Sequence, residues 1–172
     1  MNKIMENILT RRSVRAFTDK KIDIDIVKEL IKAGLYAPSG MGRQTWKFTA
    51  VLNQSKIKKL AFAIGKELKR EGYDFYSPSV IIIPSNDKES KFGKEDNACA
   101  LENIFLAAHS YGIGSVWINQ LQNICDVPEI RDILTELEIP ENHVVYGLAA
   151  LGYAKDENLS DVEKIGIYNI IE

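Results

Sequence analysis

The feature that most constrains the fold is a near-continuous run of apolar, β-branched residues from Ser79 to Ile83. A strand with one solvated face alternates apolar and polar residues, whereas an unbroken apolar run of this length is typical of a strand buried on both faces. Such a strand needs other layers of structure on both sides of its sheet. Pro84 follows the run and predicts its end, and the polar residues 85–94 predict a loop.

Helical periodicity supplies those layers. Apolar residues recur at helical spacing in five segments, and Asp23 is a typical N-cap for the second of them. Pro38 predicts the end of that helix, because proline disfavours a helical residue before it. The predicted helices cover 2–10, 24–36, 55–70, 96–111 and 127–137, and the predicted strands lie at 46–52, 79–83, within 112–120 and at 141–151, with 165–171 as a terminal strand or extended arm.

Alternating helices and strands with few hairpin signals favour an α/β or α+β fold, in which helices sandwich a mixed sheet. At 172 residues the chain is expected to form one domain, 1–172. The segment 96–111 is apolar on more than one side, which predicts a central helix with more than one partner surface, a subunit interface among the candidates. His109 lies near its end and is interpreted as a capping or core histidine rather than a catalyst.

Composition excludes several classes of partner. A net charge of −2 and a pI near 5.8 give no overall attraction for nucleic acid. The longest apolar run is too short to span a bilayer, and the N-terminal residues lack the pattern of a signal peptide. Cys99 and Cys125 match no disulfide framework or metal motif. We therefore expect a soluble, cytoplasmic protein that binds neither nucleic acid nor membrane.

A basic cluster follows the first predicted helix. Arg11, Arg12, Ser13 and Arg15 combine guanidinium groups with a hydroxyl, and arginine forks match the oxygens of a phosphate. For three arginines alone, a solvated basic turn is the favoured interpretation. The hydroxyl within the cluster makes an anion site about as plausible as that simpler interpretation.

Two further segments offer groups to a ligand. Ser39, Gly40 and Gly42 leave the backbone uncovered after the second helix, which allows close approach to the main chain, although a plain loop has the same composition. Asn119 and Gln120 follow a predicted buried strand, where their amides either contact a ligand or simply cap the strand.

Catalytic motifs for side-chain nucleophiles, metals and phosphate loops are absent from the sequence: it has no G-x-S-x-G, H-E-x-x-H, P-loop or C-x-x-C. We therefore predict no catalytic side chain and no metal ligand. An anion clamp combined with an uncovered loop suits a cofactor that carries its own chemistry.

The residues that carry these features resemble the nitroreductase family of FMN-dependent oxidoreductases, in its short-chain branch. The matching segments are RRSVRAF at 11–17, APSGMGRQTWKF at 37–48, ENIFLAAHSYGIGSVWINQL at 102–121 and GLAALGY at 147–153. The resemblance implies an α+β fold with a central mixed sheet flanked by helices. It also implies an intertwined homodimer with two FMN molecules at the interface and the arm 165–171 reaching over the partner.

The resemblance also implies roles for individual residues. Arg11 and Ser13 would hold the FMN phosphate with Arg12 beside them, and Arg15 would face the pyrimidine edge of the ring. Lys164 stands in for a basic pair that many family members have near the C-terminus. The residues that would contact the ring from the other subunit are Pro38, Ser39, Gly40, Met41, Gly42 and Gln44. The residues that would line the ring near its reactive nitrogen are Trp117, Ile118, Asn119 and Gln120.

The chain departs from the family pattern in three places. Gly42 stands where the family often has asparagine. Near the C-terminus Lys164, or less plausibly Lys155, is surrounded by acidic residues. Residues 70–76 lack clear polar partners for a ribityl chain, and Tyr73 and Phe75 are expected to pack in the core or at its rim rather than over a ligand. The surrounding acidic residues are Asp156, Glu157, Asp161 and Glu163.

The activity that the resemblance implies is ping-pong hydride transfer from NADH or NADPH through FMN to an electron-poor acceptor, a nitroaromatic or a quinone. Two alternatives stay open. One is a flavin-binding relative with other chemistry, such as flavin cleavage or reductive dehalogenation. The other is a flavin-binding dimer without turnover.

Overall fold

The computed structural model describes residues 2–156 and 162–172. Within that part of the chain, five α-helices form close to the segments that periodicity predicts. Two short 3₁₀ turns, Gly40–Gly42 and Gln120–Asn123, were not predicted. Asp23 caps the second helix as expected, because its carboxylate accepts a hydrogen bond from the Asp25 amide. The helices are α1 Lys3–Thr10, α2 Ile24–Leu35, α3 Gln54–Glu67, α4 Gly93–Ser110 and α5 Pro128–Glu136.

The described strands form one sheet with the spatial order β1-β2-β5-β3, and β4 pairs with the far end of β2. The fold is α+β, as predicted. The strands are β1 Trp46–Val51, β2 Val80–Asp87, β3 Gly114–Ile118, β4 His143–Val144 and β5 Leu148–Gly152.

The sheet is less mixed than the prediction. Every pair of these strands is antiparallel, and the parallel component is one bridge between Ser13 and Ser115. The register explains the direction of β2: Val51, at the end of β1, pairs with Ile81, at the start of β2. Residues 68–79 therefore return the chain to the end of the sheet at which β1 finished, so that α3 does not act as a parallel crossover.

Strand β2 lies at the centre of the core, as its apolar run predicts. Ile81 and Ile83 contribute to a cluster with α3 and α5. Val80 and Ile82 contribute to a second cluster, with α2 and α4 on the other face. Alternate side chains of the strand thus pack into two apolar layers, one on each face of the sheet, and all four are almost completely buried.

The predicted end of β2 at Pro84 is wrong, and so is the predicted loop for residues 85–87. The strand continues to Asp87. On one side of β2, β5 pairs with residues 80–82 and β4 pairs with residues 86 and 87, so Pro84 faces the gap between them. A missing N–H is tolerated where no neighbouring strand requires it.

The predicted strand 141–151 is divided in two. Residues 145–147 separate β4 from β5, and a Cβ on Gly147 would lie 2.5 Å from the Trp117 ring nitrogen. β4 pairs with β2, whereas β5 lies between β2 and β3 and pairs with both. The contact with Trp117 leaves no room for a side chain at Gly147, between the two strands. The segment 165–171, predicted as a terminal strand or extended arm, forms no strand, and Ile165, Ile167 and Ile171 are more than nine-tenths exposed. Residues 162–172 are here called the C-terminal arm.

Candidate functional site

Residues 11–18, here called the basic segment, run along the sheet after α1 ends. The Val14 amide donates to the Ser115 carbonyl at 2.9 Å, and the Thr18 amide donates to the Tyr153 carbonyl at 2.8 Å. Val14 and Phe17 are buried, whereas Ser13 and Arg15 are exposed. Because side chains alternate in an extended chain, Ser13 and Arg15 share the open side opposite Val14.

A cavity of about 380 Å³ lies beside the start of the basic segment. Its wall includes Arg11, Arg12 and His109, together with the glycine-rich start of β3 and Asp156. The Arg11 Nε lies 3.7 Å from a carboxylate oxygen of Glu102, and Arg12 Nη1 donates to the Leu9 carbonyl at 2.7 Å. Two positioned guanidinium groups make this wall attractive to an anion.

His109 belongs to this wall, which sequence reasoning missed. Its Nε2 lies 2.8 Å from the hydroxyl of Thr10, a residue 99 positions away in the chain. Burial lowers the pKa of His109, and the positive charges of Arg11 and Arg12 lower it further. This environment at the end of α4 therefore favours the neutral form of the imidazole. No local pattern links Thr10 to His109, so the sequence carried no signal for the contact.

The second group of predicted residues forms the Ser39 turn, the name used here for residues 38–44. Met41, Gly42 and Gln44 have positive φ values of 56°, 65° and 50°. Such values are strained for residues other than glycine. Met41 is exposed, and a Cβ on Gly42 would meet no atom within 4 Å. The turn thus presents its backbone to solvent around Met41 and Gly42. The prediction of uncovered backbone is wrong for Gly40, which is covered by the Phe92 ring.

A buried carboxylate holds the Ser39 turn, and no motif in the sequence pointed to it. Asp96, in the first turn of α4, is only 4% exposed. Its two oxygens accept hydrogen bonds from the Gly40 amide at 2.8 Å and from the Ser39 hydroxyl at 3.2 Å. The Ser39 Oγ in turn accepts the Gln44 amide at 2.9 Å.

Further buried polar groups continue from the end of the turn. The Thr45 hydroxyl donates to the Asn86 side chain at 2.6 Å, and Asn86 is fully buried. Asn97, also buried, donates to the Pro84 carbonyl at 3.2 Å. Buried polar groups are tolerated when they are paired. The first pair connects the end of the turn to β2, and the second connects β2 to the start of α4.

The third predicted group lies at the exit of β3. Trp117 is partly exposed and its ring centroid is 6.1 Å from that of Phe105, while Ile118 is buried. Asn119 is exposed at the start of the 3₁₀ turn. The Gln120 side-chain oxygen is buried and accepts no hydrogen bond from any other described residue. The bridge of Ser13 to Ser115 runs parallel, so Arg15 lies toward the Trp117 end of β3.

The structure brings the basic segment and β3 together, but it places the Ser39 turn elsewhere. The turn is attached to Asp96 at the N-terminal end of α4, and the cavity wall includes His109 at its C-terminal end. These two residues are thirteen positions apart on the helix, about 20 Å along its axis. One chain therefore carries the groups of the predicted site on two separated surfaces.

The remaining residues named in the sequence analysis lie apart from these groups. Lys164 is exposed in the C-terminal arm, and Glu157 and Asp161, named above as its acidic neighbours, lie outside the described residues. Phe75 is completely buried in the core, and the Tyr73 ring packs edge-on against it with centroids 5.3 Å apart. Burial raises the pKa of the Tyr73 hydroxyl.

A larger cavity, of about 680 Å³, lies at the start of β2 and α3, and none of the predicted site residues lines it. No group of three or more metal-ligating side chains occurs within residues 2–156 and 162–172. Over the same ranges, no helix combines the length and apolar character needed to cross a bilayer.

Comparison with known proteins decides the family. The model of the nitroreductase family matches residues 8–153. The chain belongs to the nitroreductase family. Its fold is also that of a solved nitroreductase with bound FMN from Bacteroides fragilis, with a TM-score of 0.94, 43% sequence identity and coverage of 100% of both chains.

Two further relatives of this nitroreductase-family chain are similar over most of their length. A protein of Archaeoglobus fulgidus, provisionally named NADH dehydrogenase/NAD(P)H nitroreductase, is 34% identical over 91% of this chain and 88% of its own. The NADPH-flavin oxidoreductase of Vibrio harveyi is 31% identical over 92% of this chain and 68% of its own.

Proposed function

We propose that this chain is an FMN-dependent NAD(P)H oxidoreductase that works as a homodimer. The observation that carries the proposal is the separation of the Ser39 turn from the basic segment along α4, which a second subunit can overcome. The relatives support the cofactor, since the Bacteroides fragilis nitroreductase has bound FMN and the Vibrio harveyi protein is a flavin oxidoreductase.

The residues present fit FMN. The cavity walled by Arg11 and Arg12 suits a phosphate, and the open side of the basic segment adds the Ser13 hydroxyl. The buried oxygen of Gln120 lacks a donor among the described residues, and rotation of the side chain would present it to a ring N–H of the ligand. We assign Arg11, Arg12 and Ser13 to the phosphate, with Lys164 as a further cation from the arm.

The ring would lie between the exit of β3 in one subunit and the Ser39 turn of the other. Trp117, Ile118, Asn119 and Gln120 would line one side. The turn would offer Pro38, Ser39, Gly40, Met41, Gly42 and Gln44. Arg15, exposed beside β3, would place a positive charge at the pyrimidine edge, where it stabilises negative charge.

When bound, FMN supplies the hydride-accepting centre that the chain's own side chains do not provide. We infer that the protein positions the two substrates in turn over the same uncovered site. Two electrons and one proton arrive as hydride from NADH or NADPH. With a second proton from solvent they convert a quinone to a hydroquinone, or a nitro group to a nitroso group and water.

Exposed apolar side chains support the dimer. Ile4 and Leu9 on α1 are 69% and 53% exposed, and the isoleucines of the C-terminal arm are more exposed still. Large apolar patches of this kind mark interaction surfaces. A second copy of the chain is the partner that also completes the proposed site, and we keep the cytoplasmic location as a prediction.

The absorbance spectrum of the purified protein between about 300 and 550 nm, before and after anaerobic NADH or NADPH, tests the function. We expect a flavin spectrum that bleaches on reduction. A colourless protein that FMN does not reconstitute would contradict the proposal. A flavin spectrum that neither nucleotide bleaches would instead favour a relative with other chemistry or without turnover, and product analysis separates those two.

Initial rates at varied donor and acceptor concentrations test the ping-pong order. Parallel lines in double-reciprocal plots are expected because both substrates use one site, and converging lines would exclude the ping-pong order.

Arg15→Ala should lower the rate of flavin reduction and the flavin potential with little loss of stability. Lys21→Ala, which removes another exposed cation six positions along the chain and outside the proposed site, is the matched control and should leave both unchanged.

A further inference from the structure

The Ser39 turn has a conformation that its own sequence does not favour. Met41 and Gln44 have φ values of 56° and 50° with side chains that penalise the left-handed region. Neither residue is glycine, so the strain must be offset by contacts elsewhere in the structure. The turn therefore holds its shape only while those contacts persist.

Asp96 supplies the strongest of these contacts. Hydrogen bonds to a carboxylate are stronger than those between neutral groups, and both Asp96 oxygens are used on the turn, by the Gly40 amide at 2.8 Å and the Ser39 hydroxyl at 3.2 Å. Because the hydroxyl donates to Asp96, its lone pairs are left for the Gln44 amide. One carboxylate thus fixes both ends of the strained stretch.

The surroundings keep the carboxylate in place. It lies in the first turn of α4, where the helix dipole favours negative charge, and within residues 2–156 and 162–172 it forms no ion pair. The Gly40 Cα packs against Phe92 so closely that a Cβ would lie 2.4 Å from its ring. The turn is pressed onto the start of α4, and Asp96 fixes its orientation there.

We propose that Asp96 is a positioning residue that acts across the dimer: it shapes the turn that meets the FMN bound to the partner's basic segment. This inference rests on the proposed function. Asp96 is itself 4% exposed and buried beneath the turn, so it acts through Ser39 and Gly40 rather than by touching the cofactor.

Three variants test the role of the carboxylate. Asp96→Ala releases both bonds and should weaken FMN binding roughly tenfold or more, with an altered visible spectrum of the flavin that remains bound. Asp96→Asn keeps an acceptor for the Gly40 amide and should recover most of the affinity. Asn103→Ala is the control, because it removes a different α4 side-chain bond, to the Ala33 carbonyl at 3.1 Å, and should leave FMN affinity and spectrum unchanged.

Mixed dimers test the action across the interface. Subunits with Asp96→Ala and subunits with Arg11→Ala are given different affinity tags, and the mixed dimer is isolated by two successive purifications. If Asp96 serves the partner's site, one site carries both defects and the other carries none. We then expect one FMN per dimer with wild-type affinity. Two weakened sites and no wild-type site would place the action within one subunit and overturn the proposal.

The outcomes separate this inference from the proposed function. A wild-type protein that binds no FMN overturns the function. Wild-type affinity and spectrum in Asp96→Ala overturn the inference alone, and so does an equal loss in Asn103→Ala, which would mean that α4 stability is the cause. If Asp96→Ala does not fold, Ser39→Ala removes the hydroxyl bond from the turn side and takes its place in the mixed dimer, with the same expected outcome.

Discussion

The basic segment and the Ser39 turn are held in place by different means. The basic segment is fixed by its backbone, which bonds to β3 and to the residue after β5, and by two buried apolar side chains, Val14 and Phe17. The turn buries no side chain of its own between residues 38 and 44 and depends on a carboxylate 56 positions from Gly40. The basic segment is anchored by packing, and the Ser39 turn is anchored by its hydrogen bonds to Asp96.

The difference predicts how each region can fail. Loss of packing beneath the basic segment affects the whole core, because Val14 and Phe17 belong to the same apolar cluster as α3 and α5. Loss of the Asp96 hydrogen bonds changes the shape of a surface turn and leaves that cluster intact. Stability measurements should therefore separate the two regions, with the largest effects in the packed one.

Phe17→Ala should have the largest effect. Its side chain is 2% exposed, and truncating a buried phenylalanine costs about 3–5 kcal/mol. Chemical denaturation of the variant and wild type measures the difference. Phe62→Ala is the matched control, since Phe62 is 69% exposed and its removal should change stability by about 0.5 kcal/mol or less in the monomeric state. Equal losses would contradict the packing argument.

Gly40→Ala should have the second-largest effect, lowering the free energy of unfolding by about 1–3 kcal/mol, because its Cβ would lie 2.4 Å from the Phe92 ring. The double variant Gly40→Ala, Phe92→Ala relieves the overlap and should recover part of the loss. The free energies of unfolding of the two single variants and the double variant form a cycle that measures this coupling. Additive losses would mean that the ring is not the obstacle.

Gly42→Ala should cost less, about 1 kcal/mol, because φ is 65° but no atom lies within 4 Å of the new Cβ. Gly42→Asn should cost less again, since asparagine adopts left-handed backbone more readily. Thermal unfolding of both variants beside Gly40→Ala checks the order. A Gly42→Ala variant less stable than Gly40→Ala would show that strain outweighs overlap in this turn.

The smallest expected effect concerns pH. Burial, followed by Arg11 and Arg12, lowers the pKa of His109, so the unfolded chain takes up its proton at a higher pH than the folded one. Stability should fall as the pH drops through about 6.5, the usual histidine value. His109→Gln should flatten part of this decline in a series of melting temperatures.

His143 has a pKa lowered mainly by burial as well, so some decline should persist in His109→Gln. It should disappear only when both histidines are replaced. A His109→Gln profile that coincides with wild type below about pH 6.5 would contradict the assigned environment of His109.

The elements that the sequence predicted well are those whose signal is local. Helix α2 follows from the Asp23 cap and its apolar spacing, and the burial of β2 follows from its β-branched run. The prediction from Pro84 was wrong because proline ends a strand only where a flanking strand needs its N–H. The gap between β4 and β5 that Pro84 faces cannot be recognised from the neighbouring residues.

The candidate site was predictable only as a set of residue types. The basic cluster and the uncovered turn were recognisable from composition and family resemblance. Their supports were not, because Asp96 and His109 find their partners across 56 and 99 positions of chain. A carboxylate in the first turn of a helix is common, and nothing in the local sequence distinguishes one that holds a neighbouring turn from one that is solvated.

The path of the basic segment has a consequence for self-association. Strand β3 is the last in the order β1-β2-β5-β3, and an uncovered edge of this kind invites pairing with other chains. Ser13 and Val14 occupy that edge through their contacts with Ser115. Substitutions or cuts that detach residues 11–18 should therefore produce aggregation, and solubility would constrain this segment even in a chain that no longer carried a cofactor.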